Sequence, residues 1–115
     1  TARHEGNQFE WLMHAPLAVQ AGVNAGAVEA LRLGARPKGL QADEELALDF
    51  THELLHTHGV SDPTYAAALA TFGEQGVVEL TTLIGYFTMV NWVMNVARTP
   101  AMASAQGEPL QAFPS

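Results

Sequence analysis

The chain contains no cysteine, which excludes disulfides, thiolate metal sites and thiol-based peroxide chemistry. Basic residues are scarce: five Lys or Arg stand against twelve Asp or Glu, for a formal net charge of -7. That balance argues against binding to nucleic acid or to an anionic membrane surface. No stretch has the pattern of a secretory signal, so we expect a cytoplasmic location.

Apolar residues are abundant. They make up 48% of the 115 residues while charged residues make up 15%, so we expect part of the apolar surface to be buried in a homo-oligomer. Residues 77–96 resemble a membrane span because Glu79 is the one charge among them. Several of their side chains would be costly in lipid, and a helix buried inside an oligomer explains them better: Thr81, Thr82, Thr88, Asn91 and Asn95.

The periodicity of the apolar residues is helical, and no strand-length alternation occurs, so the predicted class is all-α. Pro16 predicts a kink or a restart in the first helix. We expect one helical domain over residues 1–98 and a loosely held, irregular tail over 99–115. The predicted helices cover about 7–22, 25–33, 42–59, 62–72 and 77–98, after an irregular start at 1–6 and with breaks at 34–41 and 73–76.

Glu10 and His14 are the first candidates for chemistry, because residues four apart on a helix lie on one face within reach of each other. A carboxylate beside an imidazole is a proton-transfer unit. Asn7 shares their sector and Trp11 borders it. We interpret this face as one wall of a substrate-sized, largely dry cleft; the alternative is a solvated helix face with an ordinary surface ion pair.

A second pattern is His52-Glu53-Leu54-Leu55-His56, which spells the HExxH arrangement of two zinc ligands and a general base. Glu74 and Glu79 are conceivable third ligands. The two histidines fall opposite the apolar face of this helix, on a charged outer surface, so we favour no metal site here. Adventitious metal binding through His52, His56 and His58 remains compatible with the pattern.

The last predicted helix carries a polar stripe that includes Asn91 and Asn95. Buried amides must find hydrogen-bond partners. These residues either bridge neighbouring helices or line the cleft beside Glu10 and His14, and Asn91 is kept as a candidate substrate contact.

The order of these motifs resembles the carboxymuconolactone decarboxylase family, which includes the AhpD-like alkylhydroperoxidases. The match covers about residues 7–95. Its most specific element is the run of Glu10, His14, Ala18 and Gly22 at intervals of four. The other matching motifs are Phe9-Glu10-Trp11, Glu53-Leu54-Leu55, Val60-Ser61-Asp62, Tyr65, Val78-Glu79-Leu80 and Gly85-Tyr86.

The peroxidase branch of that family has a Cys-x-x-Cys pair where this chain has Asn7 and Glu10, so the resemblance implies the decarboxylase branch. It implies an AhpD-like helical bundle, a trimer or hexamer, and no metal or organic cofactor. Family members normally have further helical sequence before this region, whose polar residues contribute to the pocket.

The function expected from the resemblance is that of a lyase acting on a small carboxylated lactone or related acid. His14 would deliver a proton to the dienolate that decarboxylation leaves, and Glu10 would orient it and favour its charged form. Asn7 would donate to the developing oxyanion and Trp11 would wall the pocket. The rivals are a non-catalytic helical oligomer and a zinc hydrolase. Only five basic residues are present to hold an acidic substrate, so Arg3, Arg32 or Arg98, or groups outside this chain, must help.

Overall fold

The structure, a computed structural model, describes residues 1–102 and 107–110 of the chain. The described residues form helices and connecting segments, with no strand among them, which confirms the all-α class. Five helices follow in chain order: α1 (Ala2–Glu5), α2 (Gln8–Gln20), α3 (Ala25–Arg32), α4 (Ala42–Thr57) and α5 (Asp62–Ala97).

Contacts between residues divide the chain into two units. The first comprises Gln41–Phe87 with Thr1, and therefore holds α4 and most of α5. The second comprises Ala2–Leu40 and the chain from Thr88 onward, and therefore holds α1, α2, α3 and the last turns of α5. The candidate site lies in the second unit.

The core of the first unit is built on Phe50 from α4 and on Ala68 and Ile84 from α5, all of them buried. Apolar side chains from both helices and from the connection between them pack around these three, namely Leu54, Leu55, Val60, Phe72, Val77 and Leu80. This is the apolar face that the 3.6-residue period predicts for α4. The helix ends at Thr57 rather than at Gly59, because His58 adopts the left-handed conformation with φ 64°.

Gly73 interrupts α5. Its φ of 74° and ψ of 174° are non-helical and belong to a backbone region that is essentially restricted to glycine. The helical segments on either side are therefore 62–72 and 74–97. The break predicted over 73–76 is confirmed, but it is confined to a single residue.

One prediction about the start of the chain is wrong: residues Ala2–Glu5 form a short helix rather than an irregular start. Pro16 lies inside α2, which continues as one helix from Gln8 to Gln20, so the helix does not restart there. A kink at Pro16 stays a prediction.

Part of the predicted tail is held firmly. Residues 107–110 are not helical, but Leu110 is buried and both of its backbone polar groups bond to Gln8. The expectation of a loosely held tail is therefore wrong for these four residues. Residues 103–106 and 111–115 of that tail lie outside the described residues.

Much of α5 is apolar and exposed. By length and composition alone, the helix could cross a membrane: its most apolar stretch of 18 residues has a mean hydropathy of 1.3, and 17% of that stretch is buried. Core helices of soluble proteins meet the same criterion. Within the second unit its exposed apolar side chains are Met89, Trp92, Val93 and Val96.

Candidate functional site

Asn7 begins α2 as its N-cap residue. Its Oδ1 accepts a hydrogen bond from the Glu10 amide at 2.8 Å, and its Nδ2 donates to Asn95 Oδ1 at 2.9 Å. Only 4% of the residue is exposed. Asn7 thus fixes the first turn of α2 against the end of α5, and with it the position of Glu10. Its role as a donor to an oxyanion stays a prediction.

Glu10 and His14 are in contact. The Nδ1 atom of His14 lies 3.0 Å from Glu10 Oε2 and also 3.0 Å from the backbone carbonyl oxygen of Glu10. The hydrogen-bond geometry is met by the carbonyl, whereas Oε2 lies at ion-pair distance and is buried with no hydrogen bond among the described residues. The spacing of four residues therefore brings carboxylate and imidazole together as predicted.

The surroundings of His14 Nδ1 determine its tautomer. Both atoms at 3.0 Å are oxygens that can only accept, unless the Glu10 carboxyl is itself protonated. Nδ1 therefore carries the hydrogen, and in the neutral ring Nε2 is the unprotonated nitrogen. Nε2 is accordingly the atom through which His14 can exchange a proton with a bound molecule.

Burial differs sharply across the pair. The Glu10 side chain is 7% exposed and the His14 side chain 46% exposed. We expected both to face a dry cleft, but the described residues of one chain bury only the carboxylate. Leu17, one turn beyond His14 on the same face of α2, is also half exposed at 51%.

Glu5 also contacts this region, although no motif in the sequence singles it out. Asn95 Nδ2 donates to the backbone carbonyl of Glu5 at 2.9 Å, and the indole nitrogen of Trp92 donates to the Glu5 carboxylate at 2.6 Å. These bonds tie α1 to the end of α5. Local pattern could not reveal them, since about 90 residues separate the partners in the chain.

The Asn95 amide on α5 bridges helices, as one of the two interpretations of the polar stripe predicts. Asn95 accepts from Asn7 of α2 and donates to Glu5 of α1. Asn91 is 1% exposed and buried in the same unit. A contact between Asn91 and a substrate stays a prediction.

Trp11 is buried, with 8% of the residue exposed, and its indole nitrogen donates to the Glu108 carbonyl at 3.1 Å. Trp11, which was predicted to line a pocket, thus makes a hydrogen bond to the chain near its C-terminus. Glu108 was not a candidate from the sequence, because a carbonyl acceptor carries no side-chain signature.

The histidines of the HExxH segment lie on the exposed side of α4. The rings of His52 and His56 lie 4.0 Å apart. Glu53, the expected general base, accepts from the Ser61 amide at 2.9 Å, and hydrogen bonds from Thr64 and Ser61 hold its pKa below the usual range. Among the described residues, no group of three His, Asp or Glu side chains is placed to hold a metal ion.

Arg32 has its own partners. Its guanidinium contacts the Glu29 carboxylate at 2.6 and 2.9 Å and donates to the Pro109 carbonyl at 3.0 Å. The hydrogen bond between the two side chains raises the pKa of Arg32 and lowers the pKa of Glu29. Of the three arginines considered for substrate binding, Arg32 is therefore already engaged.

Comparison of the chain with protein-family models, curated proteins and solved structures returned no match.

Proposed function

We propose that the protein is a cofactor-free lyase that decarboxylates a small carboxylated lactone or a related acid by proton transfer through His14 and Glu10. One observation supports the proposal above all. A carboxylate that is nine-tenths buried lies 3.0 Å from the Nδ1 atom of an imidazole whose side chain is 46% exposed. A purely structural ion pair has no need of a buried carboxylate oxygen that lacks a hydrogen bond.

The proposed reaction begins with cleavage of the bond between the carboxylate carbon and the ring of the substrate. Carbon dioxide leaves, and the electron pair of that bond passes into the conjugated carbonyl as a dienolate. The His14 imidazolium then donates its Nε2 proton to a carbon atom of the dienolate. His14 regains a proton from solvent, since decarboxylation of a carboxylate consumes one proton overall.

Glu10 is assigned the role of orienting His14. Its carboxylate stabilises the imidazolium electrostatically, and burial strengthens this interaction because less water screens it. The arrangement follows the logic of an acid–base histidine held by a buried carboxylate. Asn7 acts through Glu10 because it caps the turn that carries it.

The proposal requires that a second copy of the chain cover His14. The imidazole and Leu17 are both about half exposed in one chain, and closing an active site against water strengthens every charge interaction in it. We therefore propose an AhpD-like helical assembly, a trimer or hexamer, in which the exposed apolar residues of α5 are buried. Arg3, Arg98 or groups of a second copy would hold the substrate carboxylate.

The test is an assay of carbon dioxide release from a panel of carboxylated γ-lactones, with His14→Ala as the decisive variant. Turnover by the native chain and its loss in His14→Ala are the expected results, with the oligomeric mass unchanged in sedimentation. His52→Ala is the matched control, because it removes an exposed histidine from α4, and it should retain full activity. Prior dialysis against a chelator should also leave turnover intact.

Two results would contradict the proposal. If His14→Ala retains near-native turnover, the reaction proceeds elsewhere. If no member of the panel is turned over while the assembly forms normally, the rival is favoured, in which Glu10 and His14 serve only to join helices in a non-catalytic oligomer.

A further inference from the structure

The segment Gly107–Leu110, called here the C-terminal segment, is bound along α2 and α3 in the way a protein binds an extended peptide. The side-chain amide of Gln8 makes two bonds to one residue: Nε2 donates to the Leu110 carbonyl and Oε1 accepts from the Leu110 amide, both at 2.9 Å. Such a pair of hydrogen bonds recognises the main chain of the segment in the way that a neighbouring β-strand does.

Two further side chains extend this recognition along the segment. Trp11 donates to the Glu108 carbonyl at 3.1 Å and Arg32 donates to the Pro109 carbonyl at 3.0 Å. Three successive carbonyls are thus each bonded by a different side chain of α2 or α3. We call Gln8, Trp11 and Arg32 the receptor residues.

The segment supplies one apolar anchor. Leu110 is 4% exposed, whereas Gly107, Glu108 and Pro109 are exposed. A buried anchor gives a short peptide most of its binding energy, while main-chain bonds fix its register. Pro109 limits the conformations of the free segment, so less entropy is lost when it binds.

We propose that the receptor residues bind the C-terminal segment of a second copy of the chain, so that copies exchange their segments. The bonds are made to main-chain carbonyls and one leucine, and a second copy presents the same groups in the same order. Exchange of an identical element is a low-cost route to oligomers, because each contact exists already within one chain.

Two features of the same unit favour a second copy as the donor. Nine residues, 98–106, connect the end of α5 to the segment, and nine residues can span up to about 30 Å when extended. The end of α5, where this connection starts, carries the exposed side chains of Trp92, Val93 and Val96. A neighbour that covers them lies within reach of the segment.

Exchange has a consequence for the candidate site. Trp11 lies one turn before His14 on α2, and its indole is held by the Glu108 carbonyl. With exchange, the residue beside the proposed acid is positioned by a neighbouring copy. The inference itself stands apart from the chemistry proposed for His14.

Site-specific crosslinking tests the exchange, because the chain has no cysteine of its own. A Cβ atom on Gly107 would lie 3.9 Å from Pro16 Cγ, so Pro16→Cys and Glu108→Cys place two thiols within reach of a short bismaleimide. Neither substitution removes a receptor bond, since Glu108 uses its backbone carbonyl. One chain carries Pro16→Cys, and a second, tagged chain carries Glu108→Cys.

The expected result is a tag-shifted mixed dimer on a denaturing gel, several-fold above a control pair in which Lys38→Cys replaces Pro16→Cys. Lys38 is an exposed residue of the α3–α4 connection. The mixed dimer should fall to the control level when Leu110→Asp is added to the tagged chain, or when Gln8→Ala is added to its partner. Circular dichroism of each variant establishes that it is folded.

A chain carrying both cysteines separates the remaining outcomes. If it crosslinks within itself while the mixed pair stays at the control level, the segment binds only its own chain and the exchange proposal is overturned. If neither arrangement crosslinks, the assignment of Gln8, Trp11 and Arg32 as receptor residues is overturned as well.

Discussion

Asn7 and Asn95 are joined by a hydrogen bond of 2.9 Å between their side-chain amides, across 88 positions of sequence. The same Asn7 caps α2 through Glu10, and the same Asn95 donates to Glu5. The Asn7 side chain therefore caps α2 locally and also bonds to a residue distant in the chain. The start of α2 and the end of α5 are held together by polar groups rather than by apolar packing alone.

Asn7→Ala should lower the free energy of unfolding by roughly 2 to 3 kcal/mol, because it removes a cap worth about 1 kcal/mol and deprives a second amide of its partner. Asn24→Ala is the matched control: Asn24 caps α3 through the Ala27 amide, and losing it should cost about 1 kcal/mol. Urea unfolding at one fixed protein concentration measures both. Equal losses would mean that the bond to Asn95 contributes nothing.

Gly73→Ala should destabilise the chain by roughly 1 to 3 kcal/mol, because Gly73 occupies a backbone region that other residues reach only under strain. Among the described residues, no atom beyond the local backbone lies within 4 Å of the Cβ that would be added, so the cost comes from backbone conformation and not from a clash with a neighbouring side chain. Gly85→Ala is the contrasting change. Gly85 lies in the helix with open space around it. Alanine there should raise the free energy of unfolding by up to about 1 kcal/mol. Thermal unfolding of both variants checks the opposite signs.

Val93→Lys combined with Val96→Lys should reduce the sedimentation mass of the assembly. These side chains are 63% and 86% exposed in one chain, and charge placed in a buried interface opposes association. Ala66→Lys, at an exposed position in the first half of α5, is the control and should leave the mass unchanged. A native chain that already sediments as a monomer would remove the need for any such interface.

The local elements of this fold could be predicted from the sequence because their signals are local. The predicted helix starts at residues 42 and 62 agree with the starts of α4 and α5, and the predicted break at 73–76 includes the non-helical Gly73. The contact of Glu10 with His14 followed from helical spacing alone. Each of these features depends on residues within about four positions of one another.

The long-range contacts could not be predicted in the same way. Gln8 and Leu110 are 102 positions apart, and nothing in the sequence near either residue indicates the other. The exposure of His14 was missed for a related reason: periodicity reports which face a residue occupies, but not whether that face is covered. The short helix α1 was missed because it depends on partners at the end of α5.

His14 should show the Nδ1–H tautomer when neutral, which is the minor form of free histidine in water. Nitrogen chemical shifts of the ring report the tautomer directly, and Nε2 of the neutral ring is expected in the range of an unprotonated nitrogen. Glu10→Gln replaces the carboxylate 3.0 Å from Nδ1 with a neutral amide that can donate as well as accept, and should shift His14 toward the ordinary form. An Nε2–H tautomer in the native chain would contradict the assignment of Nε2 as the atom that exchanges protons.

The contact between Glu53 and the start of α5 should make stability depend on pH. Hydrogen bonds from Thr64 and Ser61 lower the pKa of Glu53 from the ordinary value of 4.5. Because the folded pKa lies below the unfolded one, this contribution is complete above the unfolded pKa and is lost as pH falls through the folded value.

Glu53→Gln should therefore be less stable than the native chain near neutral pH. The difference in the free energy of unfolding should narrow as pH drops below about 4.5, the ordinary pKa of the glutamate carboxyl. Glu74→Gln, which removes an exposed carboxylate from α5, is the charge-matched control. Urea unfolding across the pH range measures the gap, and a gap that stays constant down to strongly acid pH would show that Glu53 does not link α4 to α5 through its charge.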